Sequence, residues 1–285
     1  HRNLARAVPS SQTLGTALPA YAVLTLHRPS NVDDPATLAA LPLLASAPSS
    51  LQARSTGPLR RLPGTARYQI GRFEVTVISD GYIDFPFELF TGVTPDQARQ
   101  ATAAVHAAGN HGVRGSFSTY LINDGQRLIL VDSGPAGTVS KTSGYLPGTL
   151  TSLGVEATDI DAVILTHAHV DHIGGMVANN RNNYPNADVY IDRRDVKTFT
   201  DPSIEARAPD ITKSSFAATQ QLIRLYPRLQ QIDGDREIVR GISVFDLSGH
   251  TPGQIGVRIE DGGESLNLVS DMLFHPAAHP AMPGF

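Results

Sequence analysis

Cysteine is absent from the 285 residues, so this chain can form neither disulfides nor thiolate metal ligands, and the redox compartment is left open. No block of basic residues occurs, and 23 Lys+Arg against 27 Asp+Glu leave a net charge of −4. A nucleic-acid partner therefore has no electrostatic footprint. No apolar stretch approaches the roughly 20 residues that span a bilayer, so a soluble protein without a membrane span is expected, either cytoplasmic or exported to the periplasm. The 41% apolar content can fill one good core, or one core with a loosely packed arm; two full domains would be cramped.

What the chain does contain is concentrated in residues 166–175, T-H-A-H-V-D-H-I-G-G. Three imidazoles and a carboxylate fall within six positions, straight after the apolar run Ala162, Val163, Ile164 and Leu165. Titratable groups this close repel or need costly desolvation unless a cation compensates them, and neutral imidazole with carboxylate suits Zn²⁺. A surface loop that merely contains histidines is the competing reading. The strand-like run ahead of the cluster and the Gly174-Gly175 pair behind it supply a strand, turn and helix instead.

The H-x-H-x-D-H run resembles the signature of the metallo-β-lactamase-fold hydrolases, and other pieces follow in the same order. Val131, Asp132, Ser133 and Gly134 resemble V-D-[TS]-G; Gly249, His250, Thr251, Pro252 and Gly253 resemble G-H-[TS]-P-G; Ser270-Asp271 resembles G-D, with serine in place of the usual glycine. Val77-Ile78-Ser79-Asp80-Gly81 and Tyr184-Pro185-Asn186-Ala187 look most like the methyl parathion hydrolase-like branch. The resemblance covers roughly residues 66 to 275. It implies an α+β fold, the αβ/βα sandwich of two central mixed sheets with helices outside. It also implies a further metal-binding histidine well downstream of Asp271, so the chain, which ends at Phe285, reads as truncated at its C-terminus. His275 and His279 are weaker substitutes.

The resemblance also assigns roles. His167 and His169, at i and i+2 beyond a strand, converge with His250 on one ion and leave a fourth tetrahedral position for water, as in a catalytic zinc site. Asp171 and His172 hold a second ion and Asp271 bridges the two. The implied cofactors are two divalent metal ions, zinc by this donor set. The implied reaction is hydrolysis of a lactone or organophosphate ester by a hydroxide shared between them, with Asp171 orienting the nucleophile and relaying a proton. A β-lactam hydrolase and an inactive binding module of the same fold are the alternatives. A di-iron oxidoreductase is disfavoured because such members carry Glu where this chain has His169. Asp132 and Asp80 are read as support for the ligands, each also able to serve as a plain turn former. Phe85, Phe87 and Phe90, as an aromatic flap, and Phe199 are the candidate pocket for a small apolar ester or lactone, though each could equally be core. A homodimer is compatible with this reading.

The first 65 residues fit less well. Tyr21 to Asp34 resembles a short segment of the hydrolysing UDP-N-acetylglucosamine 2-epimerases, and 38–53 has the apolar core and small-residue exit of an export signal, unusually deep in the chain. A misjudged start or a fused fragment explains both, and disorder or loose packing is expected before about residue 65. From Tyr68 onward, alternation through Ile70, Phe73, Val75 and Val77, and again over Phe117 to Val131 around Asn123-Asp124-Gly125, predicts antiparallel strands. Thr94-Pro95-Asp96-Gln97 reads as a capping box opening a helix to about Gly109, with His106 structural. A short helix to about Asn180, a strand at 187–191, a helix with Phe216, Thr219, Leu222, Ile223 and Tyr226 on one face, and strands at 242–247, 254–259 and 265–269 complete the prediction.

Overall fold

The computed structural model describes residues 22–23, 64–90, 92–103, 108–109 and 112–273. The arm expected before residue 65 falls outside them except for the two-residue strand β1 (Ala22–Val23), and His106, His275 and His279 lie outside the described residues.

Seven strands form one mixed sheet: β2 (Thr65–Ile70), β3 (Phe73–Phe85), β4 (Val113–Asn123), β5 (Leu128–Val131), β6 (Ile160–Ile164), β7 (Asp188–Asp192) and β8 (Leu229–Ile232), in that spatial order. β2 to β5 run antiparallel as a meander; β5 to β8 are parallel. A second sheet has the order β1, β12 (Glu264–Leu268), β11 (Ile255–Asp261), β10 (Ile242–Asp246), β9 (Arg236–Val239), with β1 parallel and the rest antiparallel. Both sheets are mixed, and the two-sheet sandwich flanked by helices, the short α2 (Leu146–Ser152) and α5 (Pro202–Glu205) among them, is what forms.

Period-two alternation explains the layering. Ile129, Val131, Ala162 and Ile164 point between the sheets, where they meet Val244, Val257, Ile259 and Leu268. Leu130, Val163 and Leu165 point the other way, onto Ile173, Met176, Phe216 and Leu222 of the helices α3 (Val170–Val177) and α6 (Asp210–Leu225). β5 and β6 are thus buried on both faces, which is why they read as continuous apolar runs. In α6 the apolar face is Phe216, Thr219 and Leu222, with Tyr226 as its C-cap, whereas Ile223 is 38% exposed and off that face. The capping box is reciprocal: the Thr94 amide donates to Gln97 Oε1 at 2.8 Å and the Gln97 amide to Thr94 Oγ1 at 3.2 Å, opening α1 (Pro95–Ala103).

One correction concerns residues 80–85. Phe85, expected in an aromatic flap, lies in a strand: β3 passes through Asp80-Gly81 on a bulge between Ser79 and Gly81 and continues to Phe85. Gly81 permits this with φ 126° and because a Cβ there would lie 2.0 Å from the Thr142 carbonyl oxygen.

Candidate metal centre

Strand direction decides which loops meet. Because β5 and β6 are parallel, Asp132 and Thr166 leave the sheet at the same end. In the second sheet Asp246 pairs with Ile255, so the loop bearing His250 joins the end at which Val257 pairs with Leu268 and β12 exits toward Asp271. Two sheets thus deliver four loops to one place.

There His167 Nε2 lies 3.2 Å from His169 Nδ1, which lies 3.0 Å from His250 Nε2. Bonds of about 2.0 Å to a tetrahedral ion would place such nitrogens about 3.3 Å apart, so the spacing is that of ligands around a shared zinc-sized cation. A second group combines His167, His172 and Asp271. Asp271 reaches both, with Oδ1 3.3 Å from His172 Nε2 and Oδ2 3.6 Å from His250 Nε2. Asp171 stands just outside these groups, Oδ2 3.7 Å from His172 Nε2. The donors fit two divalent ions: three nitrogens at one position, two nitrogens and a carboxylate at the other. The cluster opens to solvent on one side, where the His250 and Asp271 side chains are about one-third exposed, while His167 is fully buried.

Electrostatics separates the members. Desolvation, reinforced by His172, drives His167 well below the usual histidine value, and desolvation with His250 takes His169 down to about 3, so both rings are neutral. Burial also opposes charge on His172, yet Asp271, Asp132 and Asp171 outweigh it and hold that ring well above the usual value. Desolvation resists ionisation of Asp271, but His172 prevails and keeps it a carboxylate. Asp171 goes the other way, raised by burial with Asp271 adding to the rise.

Asp132 sits beneath these ligands in the left-handed region, φ 60°. Its Oδ1 accepts from the Thr166 amide at 2.8 Å, and its Oδ2 accepts from the Thr166 hydroxyl and from His172 Nδ1, each at 2.8 Å. The His172 bond leaves Nε2 facing the cluster. Asp80 is fully buried but serves the neighbouring loops: it accepts from the Leu146 and Gly144 amides and packs under Gly134.

Helix α3 is docked on the turn after Asp132. The Ser133 amide donates to the His172 carbonyl at 2.8 Å and the Gly175 amide to the Gly134 carbonyl at 2.9 Å. A Cβ on Gly175 would stand 2.1 Å from the Ser133 carbonyl oxygen, which is backbone and cannot yield. Gly175→Ala is expected to cost about 1–3 kcal/mol by overpacking and to displace His172. Thermal unfolding together with a zinc titration checks this; unchanged melting and metal uptake would show that the turn can move.

Sequence reasoning missed Asp195, in the first turn of α4 (Arg193–Thr198). It is wholly buried and accepts from the Ala168 amide at 2.8 Å, the Thr251 hydroxyl at 2.9 Å and the Gly253 amide at 2.6 Å. It therefore ties the loop of His167 and His169 to the loop of His250. Its only local signal was an acid near a helix start, which usually means a favourable dipole contact at the surface.

The aromatic candidates separate. Phe199 is buried with its ring centroid 5.4 Å from that of His169 in a T-shaped contact, and packs on Phe216 at 5.1 Å. Phe85 closes β3, paired with Val113. Phe87 is buried in a small separate core with Ala98 and Val113, against which Phe90 packs. The expected flap is thus a strand end and a cap over α1, because apolar rings at this spacing found a helix to bury against.

A family model for the metallo-beta-lactamase superfamily matches residues 112–283. The chain belongs to that superfamily. Among curated relatives of this superfamily member is a probable metallo-hydrolase, YqjP, of Bacillus subtilis strain 168, 26% identical over 182 residues that cover 53% of this chain and 51% of the relative. The chain spans about half the length, or less, of the curated relatives it matches. Of solved structures, the hydrolase AbOPH of the beta-lactamase superfamily is 27% identical with a TM-score of 0.67, covering 74% of each chain. AidC, a dizinc quorum-quenching lactonase in complex with a product, is 25% identical with a TM-score of 0.65, covering 72% of this chain and 74% of its own.

Proposed function

We propose that this chain is a dinuclear, metal-dependent hydrolase of a small apolar ester, a lactone or an organophosphate triester, in the methyl parathion hydrolase-like branch of its superfamily. The observation that carries the reading is Asp271, whose two carboxylate oxygens face His172 and His250 and so address both ion positions at once. In this reading His167, His169 and His250 would hold one ion, Asp171 and His172 the other, and Asp271 would serve both. Such a pair of ions, zinc by the donor chemistry, supplies Lewis acidity and a nucleophile available at neutral pH. Asp171, beside His172 and raised by burial, orients the nucleophile and passes its proton.

Two features support a neutral, apolar substrate. Every ion pair of the cluster is with another of its members or with Asp132, leaving no lysine or arginine pairing with the cluster among the described residues. Phe199, in ring contact with His169, also lines a mainly apolar open cavity of about 310 Å³ with Ile204, Arg207, Pro209 and Phe216, which suits an aliphatic or aromatic group. Likeness to a dizinc lactonase and to AbOPH favours the same class. With a net charge of −4, a small molecule is proposed in preference to nucleic acid. Among the described residues no helix is long and apolar enough to cross a membrane.

The test combines metal analysis with a panel of a lactone, an organophosphate triester and a β-lactam. Uptake near two equivalents of zinc and turnover of the lactone or triester are expected. Turnover confined to the β-lactam would reverse the ordering, and no uptake after zinc supplementation would leave an inactive module of the fold.

A further inference from the structure

We propose that Ser270 is a positioning residue: its hydroxyl donates to Thr166 and thereby locks the hydrogen-bond network that aims His167, His172 and Asp271. The inference rests on the two-ion reading above.

Ser270 holds φ 46°, a left-handed conformation that costs a side-chain-bearing residue roughly 1 kcal/mol or more and that glycine adopts freely. A serine there needs compensation. Its Oγ lies 2.9 Å from Thr166 Oγ1, and at a longer 3.4 Å from Asp271 Oδ1.

The protons decide the directions. The Thr166 hydroxyl donates its one proton to Asp132 Oδ2 at 2.8 Å. Two lone pairs remain on Thr166 Oγ1. One faces His167 Nδ1 at 3.1 Å and the other faces Ser270 Oγ. The contacts of Thr166 Oγ1 to Asp132, His167 and Ser270 are all met when His167 Nδ1–H and the Ser270 hydroxyl donate to it, so the one Ser270 proton goes to the nearer oxygen at 2.9 Å rather than to Asp271 Oδ1 at 3.4 Å. His167 then presents an unprotonated Nε2 toward His169, and His172, donating from Nδ1 to Asp132, presents Nε2 toward Asp271. One threonine oxygen, saturated only if Ser270 donates to it, thus sets the ring that serves the first position directly and the ring that serves the second through Asp132. The same bond pins the backbone next to Asp271. Neighbours that fix the tautomer and orientation of a ligand typically change metal affinity by about 10- to 100-fold when lost.

The variants are Ser270→Gly, Ser270→Ala, Thr166→Val and the double variant Thr166→Val/Ser270→Gly, each read by zinc affinity in chelator competition and by thermal unfolding of the metal-stripped protein. Ser270→Gly relieves the backbone while removing the hydroxyl, so its stripped form should melt at or above the wild-type temperature. Both Ser270 variants should nevertheless bind the weaker-held zinc about 10-fold less tightly. The double variant should bind within about twofold of Thr166→Val alone, since the two hydroxyls act as one unit. Wild-type affinity for both ions in Ser270→Gly, or fully additive losses in the double variant, would overturn the proposal while the two-ion reading stands. Wild-type protein that takes up no zinc would remove both.

Discussion

Replacing His169 with alanine is expected to reduce hydrolysis by at least about 100-fold at saturating zinc. His169 Nδ1 is the middle atom of its group, 3.2 Å from His167 Nε2 and 3.0 Å from His250 Nε2. Without it the remaining two nitrogens belong to loops from different sheets, and the donor left beside them is Asp271, which the other position also uses. The fold should survive. His169 is the N-cap of α3 through its backbone alone, its carbonyl accepting from the His172 and Ile173 amides, and its side chain makes no capping bond. Alanine keeps those bonds and gives up one face of the Phe199 contact. Steady-state kinetics beside thermal unfolding would decide it: full turnover in His169→Ala would mean that the ions sit elsewhere.

Asp195→Ala should produce the largest loss of stability among the substitutions considered. It strips the acceptor from two buried amides, Ala168 and Gly253, and from the Thr251 hydroxyl. The hydroxyl can turn to another partner, but the amides cannot. At about 1–3 kcal/mol for each buried donor left unsatisfied, a loss of about 3 kcal/mol is expected, corresponding to a melting temperature lower by on the order of 10 °C. Zinc binding at the position formed by His167, His169 and His250 should weaken more than at the other, because Asp195 joins the two loops that carry those rings. Asp195→Asn, which retains one acceptor oxygen but turns an N–H toward a donor, should fall between. A melting curve for Asp195→Ala that overlays the wild type would show that the loops hold each other without it.

The sequence by itself singled out the histidines and Asp271 that the structure gathers into one cluster, and it determined the layering. The H-x-H-x-D-H run is local, so its chemistry needs no neighbour to be seen, and the continuous apolar run Ile129, Leu130 and Val131 already records a strand covered on both faces. Tertiary structure alone decided which residues hold that site in shape. Asp195 reads as an ordinary helix-start acid until β7 places it under two loops separated by roughly 80 residues of chain, because hydrogen bonds of that span leave no periodicity behind. Ser270 is one atom group away from glycine in sequence, and only its φ and its distance to Thr166 give that difference a consequence. Phe87 and Phe199 carry the same side chain, and the sequence has no means of separating them. One is buried against α1 and the other against His169, since burial satisfies an aromatic ring equally well in either place and the course of β3 past Gly81 made the choice.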